Sequence, residues 1–196
     1  MSKAVLISIR PEWCALIANG KKSIEIRKTR PKLETPFKCY IYCTNTGRPL
    51  VWGDVPCAGG WRECYTQTYG RSREEVDRIW GSDVLSGKVI GEFSCDRIAD
   101  ISLTDEGYDF DVPKMTCLRY EEMEAYLDRK KGYGWHISEL KIYDEPKPLS
   151  EFHRPCPESL YCESCGMFTV RGKKCGNAAL QISRPPQSYM FVEELT

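Results

Sequence analysis

Pro11 and Gly20 bracket a segment that has room for one short helix, and they set it between two strand-like runs. The first run, Val5-Leu6-Ile7-Ser8-Ile9-Arg10, is apolar enough for a core strand. Pro11 ends it, and its fixed φ suits the first turn of a helix over residues 12–19. Trp13, Leu16 and Ile17 recur at helical spacing, and Gly20 stands where a C-terminal cap belongs. A second run, Ser23-Ile24-Glu25-Ile26-Arg27, follows at once. The opening of the chain is therefore strand, short helix, glycine, charged strand.

The second strand carries the chemistry. Period-two geometry sends Ile24 and Ile26 to one face and Ser23, Glu25 and Arg27 to the other, with Lys22 at the strand mouth. A carboxylate two positions from a guanidinium can order the arginine fork for an anionic or planar ligand. The plainer alternative is a solvated strand face with a surface ion pair contributing about 0–1 kcal/mol.

Ser-Ile-Arg-Pro before the helix and Gly-Lys-Lys-Ser-Ile-Glu-Ile-Arg after it resemble the ASCH domain of the PUA-like superfamily, with Gly20, Lys22, Glu25 and Arg27 matching its signature. Residues 133–140 and 185–195 look like the closing parts of phage and bacterial members. Residues 50–85 and 150–180 depart from the compact form and read as insertions or elaborations. The resemblance implies an α+β fold, a small mixed β-barrel of PUA-like (ASCH) type with short capping helices. It also implies RNA, single-stranded nucleic acid or a nucleotide as partner.

With 196 residues the chain can bury a real core, and one domain over 1–196 is expected, with an irregular insertion at about 45–87 and a cysteine-rich element at about 153–178. Basic and acidic side chains balance at 28 each, so no overall field pulls the molecule onto nucleic acid. The distribution is uneven: residues 1–32 carry a local +6, residues 100–130 a local −5. A basic face around the signature is compatible with this, as is ordinary solvated surface. No run is long and apolar enough to span a bilayer, and the N-terminus lacks a secretory pattern, so a cytoplasmic protein without membrane partners is expected. The eleven cysteines then read as reduced thiols with a metal among their uses.

Further along, residues 37–44 alternate as a half-buried strand with Phe37, Cys39, Ile41 and Cys43 on one face. Residues 45–70, rich in Gly, Pro and Thr, predict an irregular excursion packed by Trp52, Trp61, Tyr65 and Tyr69. Ser72 and Glu75 have capping-box spacing and open a helix to about Trp80. Residues 88–99 read as a long strand or two joined by a bend, with Gly91 as the bulge that curvature requires. A helix over 120–130 should turn Tyr120, Met123, Tyr126 and Leu127 inward. Gly132 and Gly134 should break it before a strand over 135–143, and a last strand falls at 187–193. No internal repeat or low-complexity tract occurs.

Cys156, Cys162, Cys165 and Cys175 fall within a short segment, and the middle pair has the Cys-x-x-Cys spacing that binds one tetrahedral ion from a tight turn. Gly166, Gly172 and Gly176 supply the small residues such turns need. A structural zinc with these four ligands is the leading reading, with His153 as a substitute for Cys156. A redox pair, a disulfide or reduced core thiols are the alternatives. A closed four-ligand site would leave no position for a catalytic water.

Two functional classes stand out. In the first, a barrel cleft accepts a nucleotide or a base: Arg10, Lys22 and Arg27 contact phosphate or a base edge, Trp13 or Trp135 stacks, and Ser8 and Glu25 bond the polar edge. Each of these residues also has a structural reading, in which the tryptophans are core and Arg10 is surface. In the second, Lys22 and Glu25 form an acid–base pair of a hydrolase acting on RNA or a modified nucleoside, with burial lowering the lysine pKa. Similar ASCH proteins hydrolyse acylated cytidine with a lysine, a threonine nucleophile and a glutamate. Glu25 holds the threonine position here, and a carboxylate does not replace that hydroxyl. His136 and His153 fall in no Ser-His-Asp pattern, and His136 reads as a packing or hydrogen-bonding residue. A third class is an interaction domain whose signature merely stabilises the fold. No phosphate loop or dinucleotide fingerprint occurs, so no organic cofactor is expected.

Overall fold

The computed structural model describes residues 3–46, 48–58, 60–68, 70–102, 112–128, 130–157, 161–168 and 175–195. Its opening follows the expected order: β1 (Lys3–Ile9), α1 (Pro11–Ala18) and β2 (Ile24–Arg27). Proline occupies the first turn of α1, and Gly20 at φ +69 closes it. The amide of Gly20 donates to the Ile17 carbonyl and that of Lys21 to Leu16, both at 2.8 Å, the double bond of a Schellman cap. This tight exit delivers Lys22 to the mouth of β2.

After β3 (Phe37–Cys43), the expected irregular excursion is instead a regular hairpin of β4 (Leu50–Cys57) and β5 (Gly60–Gln67), paired from Leu50–Gln67 to Cys57–Gly60. Trp52 packs edge-on against Tyr65 at 4.6 Å, while Trp61 is exposed. Gly53 and Pro56 hide the strand in the sequence, yet a two-stranded ribbon has edges that tolerate them. Tyr69 lies outside the described residues. Helix α2 (Arg73–Trp80) begins with both arms of the capping box in place, Ser72 accepting from the Glu75 amide and Glu75 from that of Ser72.

The remaining elements are β6 (Val89–Cys95), β7 (Ile98–Ile101), α3 (Val112–Thr116), α4 (Tyr120–Leu127), β8 (Gly132–His136), β9 (Ser138–Lys147), β10 (Tyr161–Cys162), β11 (Met167–Phe168) and β12 (Tyr189–Glu193). The mixed α+β expectation holds. Among the described residues, however, the ladders form two main sheets rather than one closed ring: β12-β1-β3-β6-β9, with β1 and β3 parallel, and β2-β8-β7. The sheets share one bent ribbon, since β6 pairs with β9 and β7 with β8. The bend falls at Asp96, Arg97 and Ile137 rather than at Gly91. Register irregularities do flank Gly91, where a Cβ would collide with the Lys141 carbonyl oxygen.

Gly132 and Gly134 lie inside β8 instead of ahead of it. A Cβ on Gly132 would meet Leu127, and one on Gly134 would meet Ile101 and Ile24, so the glycines let α4 and β2 approach the strand closely. Helix α4 ends earlier than expected and buries only Met123 and Leu127 of the four predicted inward residues. Tyr120 and Tyr126 are 39% and 41% exposed.

Both faces of β1 and β3 are covered. Val5, Ile7, Ile9, Cys39, Ile41 and Cys43 pack with Cys14, Ile17, Phe93 and Trp135 on one side. On the other, Ala4, Leu6, Tyr40 and Tyr42 pack with Phe152, Ile182 and Val192. The C-terminal elaboration thus supplies part of the core. Its ends are held together by the bonds Arg154 N–Leu180 O at 2.8 Å and Ile182 N–Phe152 O at 2.9 Å.

Candidate ligand-binding site and cysteine cluster

The seam between the two sheets is where the signature residues gather. Glu25 and Arg27 leave β2 on the same side, as alternation requires. They are buried, at 6% and 7% exposure, and Lys22 is buried at 3%, which rules out the solvated-face alternative. The Lys22 ammonium donates to the Thr116 carbonyl at 2.6 Å and stands 3.5 Å from Glu25 Oε2. Arg27 Nη2 lies 3.1 Å from Glu25 Oε1 and donates to the Ser8 carbonyl at 2.6 Å, so the guanidinium ties β2 to β1 across the seam. Ser8 Oγ donates to the Pro186 carbonyl at 2.6 Å, drawing the segment before β12 into the same wall. Burial pushes the Lys22 pKa below its usual value, and the neighbouring carboxylate of Glu25 opposes that shift without cancelling it.

A cavity of about 560 Å³ opens over this floor. Ser8, Arg10, Trp13, Lys22, Glu25 and Arg27 all line it, so six of the seven expected ligand-facing residues meet in one place. Arg10 is a solvent-exposed rim residue, 4.0 Å from Glu12. Trp13 is half-buried beside Lys22, whose ammonium is 5.2 Å from the ring centroid. The seventh, Trp135, is a correction. It is fully buried, edge-on to Phe37 and tilted against Tyr189, and forms no part of the cavity wall.

Thr44, Thr46, Leu118, Glu122, Tyr126 and Gln187 also line the cavity, and the sequence points to none of them as ligand-facing. They come from the loop after β3, from α4 and its lead-in, and from the segment before β12. Only Tyr126 left a signal, as an aromatic on the amphipathic pattern of α4, and it was assigned to the core. Two cations against one carboxylate leave the floor with an excess positive charge. Among the described residues the buried Arg27 Nε–H has no partner. A cleft of this size with a few converging polar groups and an aromatic wall suits a small planar ligand. His136 lies away from it and bonds Asp96 at 2.6 Å, holding that carboxyl below its usual pKa.

The cysteines form a separate cluster. The sulfurs of Cys156, Cys162 and Cys175 lie within 4.8 Å of one another. Cys175 is 3.4 Å from Cys162 and 3.6 Å from Cys165, but Cys165, the fourth expected ligand, stands outside the mutually close group of three. These separations exceed a disulfide bond and approach the edge of about 3.8 Å that four Zn–S bonds of ~2.3 Å would span. Gly166 at φ +67 turns the chain back, its amide donating to the Cys162 carbonyl at 2.8 Å between β10 and β11. His153 takes part in a β-bridge with Gln181 instead and is no member of the sulfur group. Gly172 lies outside the described residues.

No protein-family model matches the sequence, and no curated protein matches it. Among solved structures the fold is similar to the crystal structure of ASCH from Zymomonas mobilis, with a TM-score of 0.52 at 14% identity over 97% of this chain and 88% of that one. A mutant of that protein gives a TM-score of 0.51 at 14% identity over 97% and 89%. Among the described residues no helix is long and apolar enough to cross a membrane.

Proposed function

We propose, on the premise that this chain has the ASCH fold, that the seam cleft binds a nucleotide or a base of single-stranded nucleic acid, RNA in the first instance. One observation carries the reading: three buried charges, two of them cationic, form the floor of a cleft that is open to solvent and has an aromatic wall. Burying ions is expensive, and an ion set that serves only stability is readily replaced by apolar packing. Its position beneath an open cleft supports a ligand as its purpose. Trp13 offers a π-face for stacking, Arg10 stands at the rim for a phosphate, and the floor addresses the polar edge of the base.

Trp13→Ala removes the stacking face, at some cost in stability because the half-buried ring also packs against the main core. Affinity for a short single-stranded RNA should fall by about 1–3 kcal/mol, measured by calorimetric titration at a temperature where the variant is fully folded. Unchanged affinity would sink the stacking role.

The second reading is a hydrolase acting on RNA or a modified nucleoside, favoured by the lowered pKa of Lys22 beside Glu25, which would help the amine act as a base. It requires turnover on a nucleoside or RNA panel that Glu25→Gln abolishes. Binding without turnover leaves the module reading alone.

The cluster of Cys156, Cys162 and Cys175 supports a structural zinc, with Cys165, near Cys175 but outside the close group, moving in as the fourth ligand. Four thiolates would close its coordination, so its contribution would be to hold together a segment stapled at its ends to the main sheet.

A further inference from the structure

We propose that the floor of the cleft selects an imide edge, carbonyl, N–H, carbonyl, of a six-membered ring such as uracil. This rests on the nucleotide reading and adds which base the cleft prefers. Of the three N–H bonds of the Lys22 ammonium, one goes to the Thr116 carbonyl and one points toward Glu25, which leaves a donor to spare. Arg27 commits Nη2 to Ser8 and Glu25, and among the described residues its buried Nε–H is unpaired. Glu25 Oε1 receives Arg27, whereas Oε2 has Lys22 only at 3.5 Å, too long for a good hydrogen bond, and so retains its acceptor capacity. From Lys22 through Glu25 to Arg27 the floor offers donor, acceptor, donor.

The complement is acceptor, donor, acceptor, which is the pairing edge of uracil. Cytosine presents acceptor, acceptor, donor, setting a ring-nitrogen lone pair against the Glu25 carboxylate and an amino group against a cation. Guanine presents acceptor, donor, donor and meets a cation with its own N–H. Adenine has no flanking pair of carbonyl oxygens. The excess positive charge of the floor favours carbonyl oxygens as well. A buried polar group left facing its own kind costs far more than a lost contact at a wet surface, so mismatch at this floor should discriminate strongly.

The test compares uridine, cytidine, adenosine, guanosine and 3-methyluridine, and the corresponding short homopolymers, by calorimetric titration of the intact protein. Uridine should bind about tenfold or more tighter than cytidine, and 3-methyluridine, which lacks the central N–H, should lose at least about tenfold against uridine. Glu25→Gln should narrow the gap, since a carboxamide can also donate to a ring nitrogen. If that variant does not fold, the 3-methyluridine comparison decides with the unaltered protein. Cytidine or 3-methyluridine binding as tightly as uridine would overturn imide selection while leaving the nucleotide reading in place. Failure of every nucleoside and oligonucleotide to bind would overturn both.

Discussion

Glu25→Ala should destabilise the protein by about 3–5 kcal/mol, read as a fall in the urea midpoint at unchanged slope. The carboxylate lies between Lys22 Nζ at 3.5 Å and Arg27 Nη2 at 3.1 Å, and all three side chains are buried. Its removal leaves two like charges facing each other without compensation. Lys22 keeps the Thr116 carbonyl and Arg27 the Ser8 carbonyl, but neither neutral oxygen replaces the lost negative charge. The triple replacement Lys22→Met, Glu25→Leu, Arg27→Met provides the contrast: it removes all three charges, so it should cost less stability than Glu25→Ala despite the donors lost to the Thr116 and Ser8 carbonyls, while ligand binding disappears. A Glu25→Ala variant as stable as the parent would mean that the floor is wetter than its burial indicates.

The second large effect concerns the cysteines. Protein purified without chelator should contain one zinc per chain by elemental analysis, and Cys175→Ser should lose it. Cys175 has sulfur neighbours at 3.4 and 3.6 Å, so this substitution opens the site from its middle. Apparent binding free energies of such sites run to about 10–16 kcal/mol, and that energy is available to fold the segment. Chelation should therefore leave Cys162, now buried, open to alkylation, while Phe152 and Ile182 keep the segment's ends docked on the main sheet. A metal-free preparation whose Cys162 and Cys175 stayed protected would show that the thiols pack without an ion.

Local chemistry made much of this legible in the sequence. Pro11, the helical spacing of α1 and the left-handed Gly20 specify the path into β2, and the capping box of α2 stands as its spacing implied. Alternation in β2 placed Glu25 and Arg27 together. Burial of that face was not legible, because nothing near residues 20–27 reveals that α4 and the segment before β12 will cover it. Trp135 illustrates the same limit: an aromatic between polar neighbours suits a stacking wall or a core, and Phe37 and Tyr189, distant in sequence, make it core. Tyr126 erred in the opposite direction. The β4–β5 hairpin is hidden in the sequence because Gly53 and Pro56 mask strand alternation, although cross-strand contacts such as Trp52 with Tyr65 support it. The glycines of β8 look like breakers until Leu127, Ile101 and Ile24 are seen pressed against them.

A nucleotide in the seam cleft should be visible to the side chains that line it. The most direct measurement is NMR of protein ¹⁵N-labelled in its arginine and tryptophan side chains, titrated with uridine 5′-monophosphate and a short uridine homopolymer. Saturable shifts are expected at the Arg27 Nε–H and the Trp13 indole N–H, with the buried Trp135 and the exposed Trp61 of β5 little moved. Shifts that leave Arg27 and Trp13 untouched, or concentrate on the β4–β5 hairpin, would contradict a nucleotide in the seam cleft.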